Sequence, residues 1–79
     1  MNKLKLKELT DTYVVYLFQP EGKGDWGEVR MNFADTEAQP VLFPHPGVLG
    51  VLYMNKALYA VEMRVMERDF PEAFTQAWY

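Results

Sequence analysis

The chain changes its hydrophobic rhythm near residue 48. Before that point apolar residues come in short, mostly alternating blocks; after it they recur every three or four positions. Tyr13 to Gln19 reads Tyr-Val-Val-Tyr-Leu-Phe-Gln. β-Branched and aromatic side chains suit a pleated, half-buried surface, so this segment predicts a strand. Pro20-Glu21-Gly22-Lys23-Gly24-Asp25 then predicts a turn, because proline has no N–H for a ladder and glycine accepts positive φ. Trp26 to Phe33 alternates cleanly. Gly27, Val29, Met31 and Phe33 share one face, and Trp26, Glu28, Arg30 and Asn32 share the other. That pattern predicts a second strand with one buried side. Ala34 to Ala38 leads into a short third strand over Gln39 to Phe43, closed by Pro44-His45-Pro46-Gly47. Short connections favour an antiparallel meander. Lys3 to Leu9 alternates as well and is a candidate for an extra edge strand, with lysines guarding the edge.

From Val48 the period is helical. Val51, Met54, Leu58, Val61 and Val65 line one stripe, and Ala57 and Ala60 widen it with residues small enough for close approach to a sheet. Pro71 predicts a stop near Asp69, since the residue before proline is driven out of the α region. The expected fold class is therefore α+β. It is a single small domain over residues 1–79: a three-stranded antiparallel meander, with the possible N-terminal strand, packed against one long C-terminal helix and followed by an ordered aromatic tail.

Two surpluses stand out against that architecture. Tyr13 to Phe18 is apolar on both faces, and one helix covers only one face of a small sheet. On the helix, Leu52, Tyr59, Met63 and Met66 fall outside the core stripe. The tail residues Phe70, Phe74, Trp78 and Tyr79 could fold back and supply part of the missing cover, giving a capped monomer; self-association into a homodimer is the competing supplier. A domain of this size gains most from such association.

Composition narrows the chemistry. Among the 79 residues there is no cysteine and no serine, and there is one histidine. Thiolate metal sites, disulfides and serine or cysteine nucleophiles are excluded. The net charge of −3 works against phosphate binding, which needs clustered cations. Lys3, Lys5 and Lys7 form the one local basic run. No apolar run approaches the roughly 20 residues of a membrane span. The alternating Lys-Leu start lacks the continuous apolar core of a secretory signal, so a cytoplasmic location is expected.

Gly22-Lys23-Gly24-Asp25-Trp26-Gly27-Glu28-Val29 matches the form of a phosphate-binding glycine-rich loop. A strand follows it, which excludes the dinucleotide fold, and 79 residues cannot hold the remaining parts of a kinase. A hairpin turn is the expected reading. His45 stands alone between two prolines and has no partner at metal-ligand spacing. Glu62, Glu67, Asp69 and Glu72 lie beside Arg64 and Arg68, where surface pairing explains them. No catalytic, cofactor-binding or metal-ligating residue is therefore assigned. The aromatic residues make up 15% of the chain, more than a modest core absorbs. Tyr16, Trp26, Tyr59, Trp78 and Tyr79 are the candidate interaction surface.

The run Tyr16 to Glu28, with its Pro20-Glu21-Gly22 turn and Gly27-Glu28, resembles the opening of a family of small uncharacterised bacterial proteins common in low-GC Gram-positive bacteria. The resemblance continues through Tyr53, Asn55, Ala57 and Leu58, and through Phe70-Pro71-Glu72 to the closing Ala77-Trp78-Tyr79. Members often carry histidine where this chain has Lys56, and the segment Gln39 to Gly50 departs from the pattern. The resemblance implies a bacterial origin and a fixed seat for the tail, on the open sheet face or at the Trp26 turn. The expected function is a non-catalytic protein-interaction or regulatory module with a homodimer or another protein as partner. Two alternatives compete. One is a minimal enzyme or small-ligand binder at the sheet–helix edge, using carboxylates, tyrosines and Lys56. The other is a weak nucleic-acid binder through Lys3, Lys5 and Lys7.

Overall fold

A computed structural model describes residues 1–78. The elements run β1 (Asn2–Leu9), β2 (Tyr13–Pro20), β3 (Gly27–Asn32), β4 (Gln39–Leu42), α1 (Val48–Glu67) and β5 (Ala73–Gln76). All five strands form one antiparallel sheet in the order β4-β3-β2-β1-β5. The α+β class stands, and the expected three-strand meander is the β2-β3-β4 part of this larger sheet.

Two placements differ from the sequence reading. β1 is not an edge: it lies between β2 and β5. Among the described residues the tail does not lie over the open sheet face but along the sheet edge, with Glu72 and Ala73 beside Trp26. Residues Ala73–Gln76 pair with Asn2 to Lys5 as a fifth strand. The Leu6 N–H donates to the Glu72 carbonyl at 2.8 Å and extends that pairing by one step.

The register decides which face each residue takes. Leu4 pairs with Phe18 and Phe74, Leu6 with Tyr16, Tyr16 with Val29, and Val14 with Met31. These residues face α1 and form the core with Met54, Ala57, Ala60 and Val61. Gly27 sits opposite Phe18, whose ring occupies the space a Cβ would need, with the Leu42 carbonyl 2.9 Å away on that side. The absent side chain thus lets a large ring cover the backbone of β3. At the far end of the interface the buried Asn2 donates to the Tyr53 carbonyl at 3.1 Å and to Gln76 Oε1 at 3.3 Å. Gln76 donates in turn to the Lys56 carbonyl at 2.8 Å. This amide pair ties β1 and β5 to the helix, which gives the tail its seat.

The opposite sheet face needs no lid, contrary to the expectation drawn from the two-sided apolar pattern of β2. Val15 lies between Glu8 and Arg30, and Leu17 lies between Lys5 and Glu28. Long charged side chains bury apolar surface along their stems while their heads stay wet. Lys7 closes over this face with a 2.7 Å ion pair to Glu28, and the Arg30 guanidinium stacks 3.8 Å from the Tyr13 ring centre. A β-bulge between Leu6 and Glu8 makes this possible, because Lys7 drops out of register with β2. Val15 is left 6% exposed.

The helix matches its predicted start and ends near the predicted stop. Arg68 terminates it in the left-handed conformation at φ 51°, donating to the Val65 carbonyl while Asp69 donates to that of Arg64. The core stripe is Met54, Ala57, Val61, Leu58 and Val65 as read, with Ala60 beside it. Val51 is the exception. It is 49% exposed, although Gly50 in the same turn is buried.

Candidate interaction surface

The predicted aromatic set does not converge. Tyr16 is fully buried, and its hydroxyl donates to the Pro71 carbonyl at 2.8 Å, so it belongs to the core and is removed from the surface. Its ring meets Phe74 edge-on at 5.5 Å. Burial pushes the Tyr16 phenol up to about 12. Trp26 is half-buried on the far sheet face, beside Lys3, Lys5, Glu72 and Ala73 around a hollow of about 370 Å³. Trp78 is half-buried against Tyr53, with ring centres 5.6 Å apart, and the Lys56 ammonium lies 5.5 Å from its ring. Tyr59 is exposed on the outer side of α1. Tyr79 lies outside the described residues.

Most polar groups at the sheet–helix edge are engaged, although Arg64 Nε is buried there without a hydrogen-bond partner. A groove of about 260 Å³ between α1 and β5 is lined by Tyr59, Met63, Arg64, Glu67, Phe74 and Gln76, among others. Arg64 pairs with Glu67 at 3.0 Å and Asp69 at 3.3 Å, and its guanidinium sits 5.1 Å from the Phe74 ring. Gln76 is held by Asn2 and Lys56. Glu62 accepts from the Ala38 N–H at 2.9 Å and fixes the loop before β4. Glu21, held below the usual carboxylate range by the Met1 ammonium and the Tyr53 hydroxyl, ties the β2–β3 hairpin turn to the helix. The glycine-rich segment is that turn, with Glu21 at φ 55° and Gly22 at φ 70°. His45 is exposed in the connector before α1, and its carbonyl fills the place a Gly50 side chain would take. Among the described residues no group of three His, Asp or Glu side chains is placed to hold a metal ion.

Among the described residues, one lysine of the basic run is ion-paired. Lys7 is paired with Glu28, and Glu72 stands beside Lys3 and Lys5. No helix among the described residues is long and apolar enough to cross a membrane.

What remains open is apolar. On α1, Val48 is 85% exposed, Met66 75%, and Leu49 and Tyr59 60% each. Leu52 joins them, and Met63 is half-buried beside the groove. Val41, Leu42 and Phe43 at the β4 edge form a second exposed set, joined to the helix by the connector 43–47. Helices of globular proteins ordinarily turn charged and polar residues to solvent, and one that is apolar all round is normally buried all round. The first turn carries neither a side-chain cap nor an acidic residue. The sequence signal for this surface was the helical surplus at Leu52, Tyr59, Met63 and Met66. The run Val48 to Met54 concealed the rest, because it reads equally well as core.

No protein-family model matches this chain, and neither a curated protein nor a solved structure matches it.

Proposed function

We propose that this protein is a non-catalytic interaction module whose contact surface is the outer side of α1. The observation that carries the reading is the row of large apolar side chains that the chain itself leaves uncovered: Val48, Leu49, Leu52, Tyr59 and Met66. Their exposed area is on the order of 600 Å², at the upper end of the largest patch found on ordinary monomers and of the kind that marks interaction sites. The engagement of Arg64, Gln76, Glu62 and Glu21 in the protein's own folding supports the non-catalytic part. The contact surface moves accordingly from the dispersed aromatic set to the helix, with Tyr59 common to both.

A photo-reactive residue placed at Leu52 tests this in cells that make the protein. It should yield covalent polypeptide adducts, while the same residue at Lys23, in the distant hairpin turn, should not. Absence of adducts from both positions, or equal yields, overturns the reading.

A further inference from the structure

We infer that the outer side of α1 is covered by a second copy of this chain, packed helix against antiparallel helix about a two-fold axis. The inference rests on the interaction reading above and names its partner. The outward residues Leu49, Leu52, Lys56, Tyr59, Met63 and Met66 are separated by three, four, three, four and three positions. That is the spacing of a coiled-coil seam, in which side chains of one helix insert between those of another. Five of the six are apolar or aromatic.

The seam also reads the same from either end. Its centre falls between Ala57 and Leu58, which is the centre of the 20-residue helix Val48–Glu67. A two-fold axis there sets Leu49 against Met66 of the second copy, Leu52 against its Met63, and Lys56 against its Tyr59. An isologous contact requires this kind of self-complementarity, since the same patch must serve both partners. The one charged seam residue sets the direction. Parallel helices would place Lys56 against Lys56, whereas antiparallel helices place it against an aromatic ring that attracts a cation. Within its own chain Lys56 already lies 5.5 Å from the Trp78 ring, so an aromatic environment suits it.

Size is consistent with a stable pair. The four exposed seam residues Leu49, Leu52, Tyr59 and Met66 offer about 500 Å² on each copy, roughly 1,000 Å² in total, which is the size a specific interface should clear before Lys56 and Met63 are counted. The β4 edge competes less well for a second copy. It is four residues long and contains Pro40, which has no N–H to offer a further strand.

The test uses the purified full chain. Light scattering across micromolar concentrations should give the mass of a dimer, and Leu52→Glu should weaken the dimer on the order of 100-fold, because symmetry counts each lost contact twice. The chain lacks cysteine, so single thiols can be introduced cleanly. Mixing Leu49→Cys with Met66→Cys chains and adding a short thiol cross-linker should join 49 to 66 in preference to 49 to 49 or 66 to 66. A dimer joined 49 to 49, or at neither position, overturns the antiparallel helix pair. A monomer mass at hundreds of micromolar overturns self-association, and adducts of Leu52 with another polypeptide would then leave the interaction reading standing alone.

Discussion

On α1 the side turned to the sheet and the side turned away are both apolar, yet they are built from different residues. The inner side is Met54, Ala57, Ala60 and Val61, and each is buried. The outer side is Leu49, Leu52, Tyr59, Met63 and Met66, most of them exposed. Small residues inside let the helix axis settle close to the large side chains of the sheet, Tyr16, Phe18 and Leu4. Interior packing is dense, so bulk on one surface requires its absence on the other. The outer side has no such neighbour within the chain. The far face of the sheet shows that this protein can hide apolar residues without a lid, using Lys5, Lys7, Glu28 and Arg30 as cover. The outer side of α1 has no comparable fringe, and Val48, Leu49, Tyr59 and Met66 stay 60% to 85% exposed. The difference separates apolar surface that serves folding from apolar surface left for contact.

The inner side should be the most sensitive to truncation. Met54→Ala removes a side chain that is 1% exposed, and deletions of this kind cost about 2–5 kcal/mol through lost transfer energy and a residual cavity. Chemical denaturation of the variant measures it. A cost below about 1 kcal/mol would mean that the helix is only loosely seated on the sheet, and the contrast between its two sides would fail.

A pH experiment reaches the same interface from the sheet. Tyr16 lies under the helix, and burial raises its phenol from 10.0 to about 12. The folded state therefore holds the proton more tightly than the unfolded chain does. Stability from this group is complete below pH 10 and is lost as pH rises from 10 toward 12. Tyr13 and Tyr53 shift in the same direction through their hydrogen bonds to Glu8 and Glu21, so wild type alone does not isolate the effect. Tyr16→Phe does. It should cost about 1 kcal/mol at neutral pH, because the Pro71 carbonyl loses its donor. The gap between the two proteins should narrow, then reverse, above pH 10. Parallel stability curves up to pH 12 would place Tyr16 in contact with water.

The sequence carried the period of each element more clearly than its neighbours. Alternation assigned Val29 and Met31 to the buried face of β3, and the three- and four-residue steps located α1, because both signals are local. Alternation in β1 also separated lysines from leucines. It placed β1 at an edge, wrongly, since that depends on Ala73–Gln76, a four-residue stretch whose pairing is held by Phe74 on the core and by the Asn2–Gln76 link to the helix. Tyr16 was misplaced for a related reason. Both faces of β2 are apolar, and only the pairing of Leu17 with Lys5 and Glu28 reveals which face is the fringe and which the core. Val51 fits the helical stripe by period, and no period states how deeply a position is buried. The uncovered side of α1 was half legible: four of its residues were seen as surplus, while Val48 and Leu49 were hidden in a run that resembles core.

The outer side should give the smallest effect on folding. Met66 is 75% exposed in the last turns of α1. Met66→Lys places a cation near the helix C-terminus, where the dipole favours it, and four residues after Glu62, where a Glu–Lys pair is favourable. The variant should thus unfold within about 0.5 kcal/mol of wild type when dilute. Concentration then discriminates. Association adds to apparent stability by mass action, so the wild-type melting temperature should climb as protein is concentrated, while that of Met66→Lys should stay flat. If both climb equally, the covered surface lies elsewhere, and the β4 edge at Val41, Leu42 and Phe43 becomes the place to substitute next. If both stay flat, the large outer residues contact a different polypeptide, and the two sides of α1 serve two different molecules.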